Sequence, residues 1–288
     1  MNNKKSILLI DASDINFVSI NRSLGEDYTL LRAENCAIAR ELLAQHSVDL
    51  IVLDMDIDNR QGKNFLTEIA PKTTAPIIVC SILEAADINK QGEALKAGAA
   101  DFISQPPRLN ILNLLIEKHI STQQLLAEKN ISYDYFNQLR SAEDFAEPPC
   151  VLLIDDCEST SHQICEILEG FDVLWYTDIE EAEKALFEGQ ITNVELILLD
   201  RCFDNQYAGD TLLQKIRSNP TFKDLPVIML SVTYQAQVIG KCIQLGANDF
   251  ITKNLDATNI IERIRYQLLL HRHIYQATEI PVMTASEE

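Results

Sequence analysis

Short apolar runs alternate with longer amphipathic segments along most of the chain. The runs are rich in Ile, Leu and Val without polar alternation, as at residues 7–10 and 50–53. This pattern predicts strands that are buried on both faces. The segments between them carry apolar residues at helical spacing, as at residues 36–45, 178–188 and 210–217, and predict amphipathic helices. Regular alternation of such strands and helices predicts a parallel sheet with helices on both faces.

The same pattern occurs twice. Four blocks of the first half return in the same order in the second half, at offsets of 144, 146, 150 and 148 residues: 7–11 with 151–155, 50–54 with 196–200, 76–81 with 226–231, and 98–105 with 246–253. Four blocks in one order at nearly one offset indicate a duplicated domain. The predicted fold class is therefore α/β, with two doubly wound, five-stranded parallel-sheet domains, here named copy one and copy two, joined by a helical linker.

The pattern also places the boundaries. We predict copy one at residues 1–122, the linker at 123–148, copy two at 149–273 and a frayed tail at 274–288. Two interpretations of the largely helical segment between the copies remain open. It is either the last helix of copy one followed by a tether, or a signalling or dimerisation helix between the domains.

Composition narrows the class of ligand. The chain has 288 residues, 47% of them hydrophobic, and a formal net charge of −19. Such a charge disfavours nucleic acid and anionic membrane surfaces as partners, and no apolar run approaches the roughly 20 residues of a membrane helix. Seven cysteines without a CxxC pair are typical of reduced thiols, so we expect a cytoplasmic protein. Protein partners and metal cations are the favoured ligands.

Polar residues follow the predicted strands of copy two at a shared edge. Asp155 and Asp156 follow its first strand, while Asp200, Ser231 and Lys253 close the third, fourth and fifth. The carboxyl ends of parallel strands meet at one edge, where ligands gather. Clustered carboxylates repel one another unless a cation lies among them, and oxygen ligands suit Mg²⁺. An aspartate can attack phosphorus, with a lysine and a hydroxyl binding the phosphoryl oxygens. The alternative for each single residue is a helix cap or turn former.

These residues carry a family resemblance. Copy two resembles the response-regulator receiver domain of bacterial two-component systems, which has a flavodoxin-like fold, through Leu-Ile-Asp-Asp at 153–156, Leu-Leu-Asp at 198–200, Pro-Val-Ile-Met-Leu-Ser at 226–231 and Gly-Ala-Asn-Asp-Phe-Ile-Thr-Lys at 246–253. The resemblance implies that Asp200 accepts a phosphoryl group from a histidine kinase. It also implies a Mg²⁺ site made by Asp155, Asp156, Asp200 and the backbone carbonyl of Cys202.

The resemblance assigns three further residues. Ser231 and Lys253 would bind the phosphoryl oxygens, and Phe250 matches an aromatic that swings inward as Ser231 shifts toward the phosphate. Two residues depart from the family pattern: Asn254 stands in place of a proline, and Val232 stands in place of a small residue. We expect the first to alter the loop after Lys253 and the second to narrow access to the site.

Copy one resembles the same domain with a degenerate site. Asp11, Asp54 and Ser81 remain, but Ala12 replaces the second acid and Gln105 replaces the lysine. Loss of the carboxylate weakens the metal site. Loss of the ammonium removes a charge that would stabilise the phosphoryl group during transfer. We therefore predict a pseudo-receiver that is kept for its surfaces. Asp56 leaves an alternative open, since it might supply the missing metal ligand and allow weak phosphorylation of Asp54.

Competing functions come from two classes. Leu53-Asp54-Met55-Asp56-Ile57 resembles the opening motif of haloacid-dehalogenase-type phosphatases, although that motif is short. A second alternative is the N-terminal regulatory part of a longer regulator, such as a diguanylate cyclase. The favoured prediction is a phosphoacceptor signalling module and not an enzyme. Its expected partners are a histidine kinase or phosphotransfer protein upstream, and a downstream protein or a second copy of the chain.

Overall fold

The computed structural model describes residues 4–82, 90–141, 145–204, 206–232, 235–253 and 256–275. In these ranges the chain forms two parallel sheets of five strands, with orders β2-β1-β3-β4-β5 and β7-β6-β8-β9-β10. The strands are β1 Lys5–Ile10, β2 Tyr28–Ala33, β3 Leu50–Asp54, β4 Ile77–Ser81 and β5 Asp101–Ser104 in copy one, and β6 Cys150–Ile154, β7 Asp172–Tyr176, β8 Leu196–Asp200, β9 Val227–Ser231 and β10 Asp249–Thr252 in copy two. The predicted fold class is confirmed.

Helices cover both faces of each sheet. They are α1 Asp14–Leu24, α2 Cys36–Gln45, α3 Ile57–Arg60, α4 Gly62–Ile69, α5 Lys90–Lys96 and α6 Leu109–Glu128, then α7 Tyr133–Ser141 in the linker, and α8 Glu158–Ile167, α9 Ile179–Phe187, α10 Ala208–Ser218, α11 Ala236–Gln244 and α12 Ala257–Tyr275. None of the helices in the described ranges is long and apolar enough to cross a membrane. Residues 276–288 of the predicted tail lie outside the described ranges.

Uninterrupted apolar strands are buried on both faces, as their sequence predicts. Successive side chains of a strand point to opposite faces of the sheet. In β1, Leu8 and Ile10 therefore join the core under one helical layer, while Ile7 and Leu9 join the core under the other. All four are at most 1% exposed. Burial on both sides ties each strand to two helical layers and so fixes its place in the sheet.

The strand registers bring the carboxyl ends to one edge. In copy two, Ile154 pairs with Leu199, Asp200 with Leu230, and Thr252 with Ser231. The residues that end or follow these strands are consequently neighbours, although they are far apart in sequence.

Helix α6 belongs to copy one and to the packing between copies. Its first half contributes Ile111, Leu115 and Ile120 to the core of copy one. Its last turns contribute Leu126 to a separate cluster that joins α7 to α12. The boundary that we predict after residue 122 lies inside this continuous helix, so the division into domains stays a prediction.

The two copies pack against each other through equivalent helices. Helix α5 of copy one contacts α12, and α11 of copy two contacts α6. Each contact has a glycine at an equivalent position. A Cβ on Gly92 would lie 2.7 Å from the backbone N of Asn259, and one on Gly240 would lie 3.5 Å from Ile111 Cδ1. The two contacts between the copies are therefore equivalent, and in each of them a glycine lets two helices approach closely.

A buried cluster of charged side chains lies at the centre of this interface. Arg263 Nη1 donates to both carboxylate oxygens of Asp249 at 2.9 and 3.0 Å, and Arg263 Nη2 donates to Asp101 Oδ1 at 3.0 Å. Lys118 Nζ lies 3.2 Å from Asp101 Oδ2, as does His119 Nε2. Burial alone would raise the pKa of Asp101, but Lys118, Arg263 and His119 hold it well below its ordinary value. Asp101 of copy one therefore contacts Arg263 of copy two as an ionised carboxylate.

His119 makes this interface sensitive to acid. Burial lowers its pKa below the ordinary value of 6.5, against the opposing effect of Asp101. The unfolded state therefore takes up a proton at His119 at a higher pH than the folded state does, so stability falls as the pH falls below about 6.5. Between pH 7 and 5.5 we expect a loss from this residue of at most about 1 kcal/mol, the limit set by the unfolded-state pKa of about 6.5.

The matched control is His119→Gln, which keeps a donor near Asp101 but does not titrate. Chemical denaturation of both proteins at pH 7 and 5.5 would measure the effect. The wild type should lose more stability than the variant on acidification. Equal losses would contradict this prediction, because they would mean that the pKa of His119 is the same in the folded and unfolded states.

Candidate functional site

Copy two brings its predicted site residues together at the edge of the sheet. Asp155 follows β6, Asp200 and Ser231 end β8 and β9, and Lys253 follows β10. Asp155 is fully buried, while Asp200 and Ser231 are 5% and 4% exposed. The reason is local: each residue ends or directly follows a strand, and all four strands end at the same edge of the sheet.

One ammonium bridges two carboxylates at this site. Lys253 Nζ lies 2.8 Å from Asp155 Oδ2 and 2.8 Å from Asp200 Oδ2. Burial raises the pKa of Asp200, an effect that Lys253 opposes. Burial by itself would lower the pKa of Lys253, but the two carboxylates hold it above its ordinary value. The lysine thereby keeps a positive charge next to the Asp200 carboxylate.

Three carboxylates form a candidate metal centre. Asp155, Asp156 and Asp200 each offer an oxygen, and these oxygens lie within 4.8 Å of one another. Asp156 is exposed, so the site opens to solvent on its side. Carboxylate oxygens at an open site fit Mg²⁺, which retains several waters and binds phosphate oxygens. The donor set thus fits the metal that the sequence predicts.

The backbone after Asp200 also contacts the site. The Cys202 N–H binds the Asp200 carboxylate and works against the burial that raises its pKa. The role that we assign to the Cys202 carbonyl stays a prediction.

Phe250 occupies a buried position between the two copies. It is 7% exposed and packs in the core of copy two. Together with Phe102, the equivalent residue of copy one, it also lines a cavity of about 60 Å³ at the interface. The aromatic that the sequence assigns to a switch therefore lies between its own core and the neighbouring domain.

The two departures from the family pattern have different outcomes. Val232 is 88% exposed, so its side chain projects into solvent and does not narrow the site as expected. Asn254 lies outside the described residues.

In the site of copy one, the carboxylates accept hydrogen bonds from neutral side chains. Gln105 Nε2 donates to Asp54 Oδ1 at 2.7 Å, and Asn16 Nδ2 donates to Asp11 Oδ2 at 2.8 Å. Within the described residues, the three-carboxylate cluster of copy two has no counterpart here. Asp56 binds Asp54 through its backbone N–H at 2.9 Å, which gives no support to its role as a substitute metal ligand.

A second polar group near Asp200 was not predicted. Arg201 is buried and forms a two-pronged ion pair with Asp210, which also binds Lys241. A position-by-position comparison of the two copies could have pointed to this group. Copy one has Met55, Lys63 and Glu93 where copy two has Arg201, Asp210 and Lys241.

Comparisons with known proteins give the same family for both copies. The family model described as response regulator receiver domain matches residues 7–117 and 151–265. The chain is 33% identical over 105 residues to the two-component response regulator-like APRR3 of Arabidopsis thaliana, covering 36% of this chain and 21% of that protein. It is 28% identical over 117 residues to the swarming motility regulation protein RssB of Serratia marcescens, covering 40% of this chain and 51% of that protein. The chain thus spans about half or less of the length of these relatives.

Two solved structures of response regulators are among the matches. A two-component response regulator from Clostridium difficile is 28% identical, with a TM-score of 0.38 and coverage of 42% of this chain and 98% of that chain. A probable two-component system response regulator/GGDEF domain protein is 16% identical, with a TM-score of 0.39 and coverage of 93% of this chain and 100% of that chain.

Proposed function

Because the chain belongs to the response regulator receiver domain family in both of its halves, we propose that Asp200 of copy two is its phosphoacceptor. The observation that supports this most is the Lys253 ammonium, 2.8 Å from both Asp155 and Asp200. The expected donor is a phosphohistidine of a histidine kinase or of a phosphotransfer protein. The chain acts in this proposal as a signalling module and not as an enzyme on a separate substrate.

The reaction requires an ionised Asp200. Its carboxylate oxygen attacks phosphorus, the new O–P bond forms as the N–P bond breaks, and the electron pair of that bond returns to the histidine nitrogen. Lys253 favours the ionised carboxylate, against burial, and neutralises charge on the transferred group. Asp155, Asp156 and Asp200 would hold Mg²⁺, which supplies further neutralisation of the phosphoryl oxygens. Ser231, at the end of the adjacent strand, is proposed to contact the same oxygens.

Copy one is proposed as the domain that receives the signal. Its Gln105 supplies a neutral amide where Lys253 supplies charge, so Asp54 lacks the features that support phosphorylation of Asp200. Its helices α5 and α6 contact α12 and α11 of copy two, and Phe250 borders the interface. A shift of the copy-two equilibrium on phosphorylation would therefore change contacts with copy one first. Changed contacts with a downstream protein or a second chain would follow.

The setting of the reaction follows from composition. All seven cysteines are free, which supports our proposal of a cytoplasmic protein. The net charge of −19 supports protein partners over nucleic acid or membrane.

Intact-mass measurement after treatment with acetyl phosphate and Mg²⁺ tests the phosphoacceptor. We expect one added phosphoryl group on the wild type and on Asp54→Asn, and none on Asp200→Asn, because only copy two has the charged site. Asp54→Asn is the matched control, since Asp54 occupies the equivalent position. Label that persists in Asp200→Asn and disappears in Asp54→Asn would contradict the assignment. A purified histidine kinase as donor extends the test to a protein substrate.

A further inference from the structure

Three positions near the two equivalent aspartates differ together between the copies. Copy one has Met55, Lys63 and Glu93 where copy two has Arg201, Asp210 and Lys241. In copy one the last two residues form an ion pair whose side chains are 58% and 56% exposed. In copy two the signs of the two charges are exchanged, with Asp210 in place of the lysine and Lys241 in place of the glutamate. A third charged residue lies deeper in the protein and joins this pair. The difference is therefore a coordinated replacement and not a single change.

The third charge is Arg201, the residue after Asp200. Its Nε and Nη2 lie 3.0 and 3.2 Å from the two oxygens of Asp210. Both side chains are nearly buried, at 6% and 8% exposure. The ring of Tyr207 covers the guanidinium, with its centroid 4.1 Å from the Arg201 carbon. The two-pronged ion pair and the stacking on Tyr207 together hold the buried guanidinium in one orientation.

The backbone on both sides of Arg201 is held by close contacts with β9 and with the start of α10. Gly209 packs against the Asp200 carbonyl so closely that a Cβ would lie 2.0 Å from that oxygen. The Gly209 N–H donates to the Arg201 carbonyl at 3.2 Å, and Arg201 N–H donates to the Leu230 carbonyl at 3.1 Å. The start of α10, which carries Asp210, is thus attached to the peptide units that follow the phosphoacceptor.

Lys241 connects the same cluster to the interface between the copies. Its Nζ lies 2.8 Å from Asp210 Oδ2. Its neighbour Gly240 brings α11 to within contact distance of Ile111 and Leu114 on α6 of copy one. A displacement of the backbone at Asp200 would therefore reach α11 through two charged contacts.

We propose that Arg201 is a positioning residue for phosphoryl transfer in copy two. Held by Asp210, it sets the backbone from Asp200 to Cys202 that presents the metal and phosphoryl ligands, and Lys241 links that backbone to α11. This inference rests on the proposed function of Asp200.

The test variant is Arg201→Met/Asp210→Leu, which removes both charges together and gives position 201 the residue of copy one. Two readouts are measured on the full chain. Mg²⁺ binding is followed by fluorescence of the single tryptophan, Trp175, whose Nε1 donates to the Asp155 carbonyl at 3.4 Å. The rate of labelling by acetyl phosphate is followed by intact mass. We expect each to weaken by about 10- to 100-fold, as is typical when the support of a metal site is removed.

The matched control is Lys63→Met/Glu93→Met, which removes the equivalent pair of copy one. It should leave Mg²⁺ affinity and labelling rate at wild-type values. Wild-type affinity and rate in a folded Arg201→Met/Asp210→Leu protein would overturn the proposal. If that variant does not fold, Arg201→Lys replaces it, since lysine keeps the charge but lacks the fork. Wild-type values for Arg201→Lys would then overturn the positioning role.

Failure of the proposed function gives a different result. A wild-type protein that binds Mg²⁺ but takes no phosphoryl group would contradict Asp200 as phosphoacceptor. The Mg²⁺ titrations of the variants then decide the positioning role of Arg201 independently.

Discussion

Replacement of Lys253 by Gln is expected to slow phosphoryl transfer to Asp200 by about 100- to 1,000-fold while leaving Mg²⁺ binding intact. The rate falls because the variant loses the Lys253 ammonium, which lies 2.8 Å from the Asp200 carboxylate. Mg²⁺ affinity persists because Asp155, Asp156 and Asp200 all remain. The lysine also competes with the metal for two of these carboxylates, so its removal should not weaken binding.

Copy one supplies the physical precedent for this variant. There, Gln105 already donates to Asp54 at 2.7 Å, so a glutamine at position 253 has a hydrogen-bonding partner in Asp200 and the fold should persist. Labelling by acetyl phosphate gives the rate, and Trp175 fluorescence gives the Mg²⁺ affinity. The matched control is Asp156→Asn, which should weaken Mg²⁺ binding while Lys253 remains. A Lys253→Gln protein that labels as fast as the wild type would remove the main support for the proposed site.

Replacement of Arg263 by Met is expected to destabilise the protein by about 3–5 kcal/mol. The arginine joins Asp249 of copy two to Asp101 of copy one in a buried position. Its loss leaves two buried carboxylates with Lys118, which lies 3.2 and 3.5 Å from them. Removal of one partner from a buried ion cluster is costly because the remaining charges are no longer compensated. Denaturant unfolding followed by circular dichroism measures the change.

The same helix provides a control for this variant. Arg272 on α12 pairs with Glu195, but the two side chains are 30% and 20% exposed. Water screens such a pair, so Arg272→Met should cost about 1 kcal/mol or less. Similar losses for Arg263→Met and Arg272→Met would show that the interface cluster does not hold the copies together.

Much of the copy-two site could be predicted from the sequence because it depends on local signals. An apolar run that ends in a polar residue identifies both the strand and the residue at its carboxyl end. Asp155, Asp200 and Ser231 each follow this pattern, and parallel strands bring such ends together whatever the rest of the chain does. The degeneracy of copy one is equally local, since Ala12 and Gln105 are substitutions within aligned blocks.

Other features required contacts between distant elements. The sequence offered two interpretations of the helix before the linker, and only the packing showed that α6 contributes Ile111 and Ile120 to the core of copy one and Leu126 to the cluster with α7 and α12. Val232 illustrates the reverse case: its size predicts a narrowed site, whereas its backbone position directs it into solvent. Residue identity does not specify the direction in which a loop side chain points.

The sequence by itself determined the duplicated parallel-sheet fold and the charged residues at the edge of copy two, because periodicity and strand ends are properties of neighbouring residues. Only the tertiary structure decided that Arg263 binds a carboxylate of the other copy and that Arg201 is anchored by Asp210. It also decided that one lysine bridges two aspartates. These arrangements depend on which helix and strand ends meet in three dimensions. Burial then strengthens the interactions between the charged groups, because water screens them less.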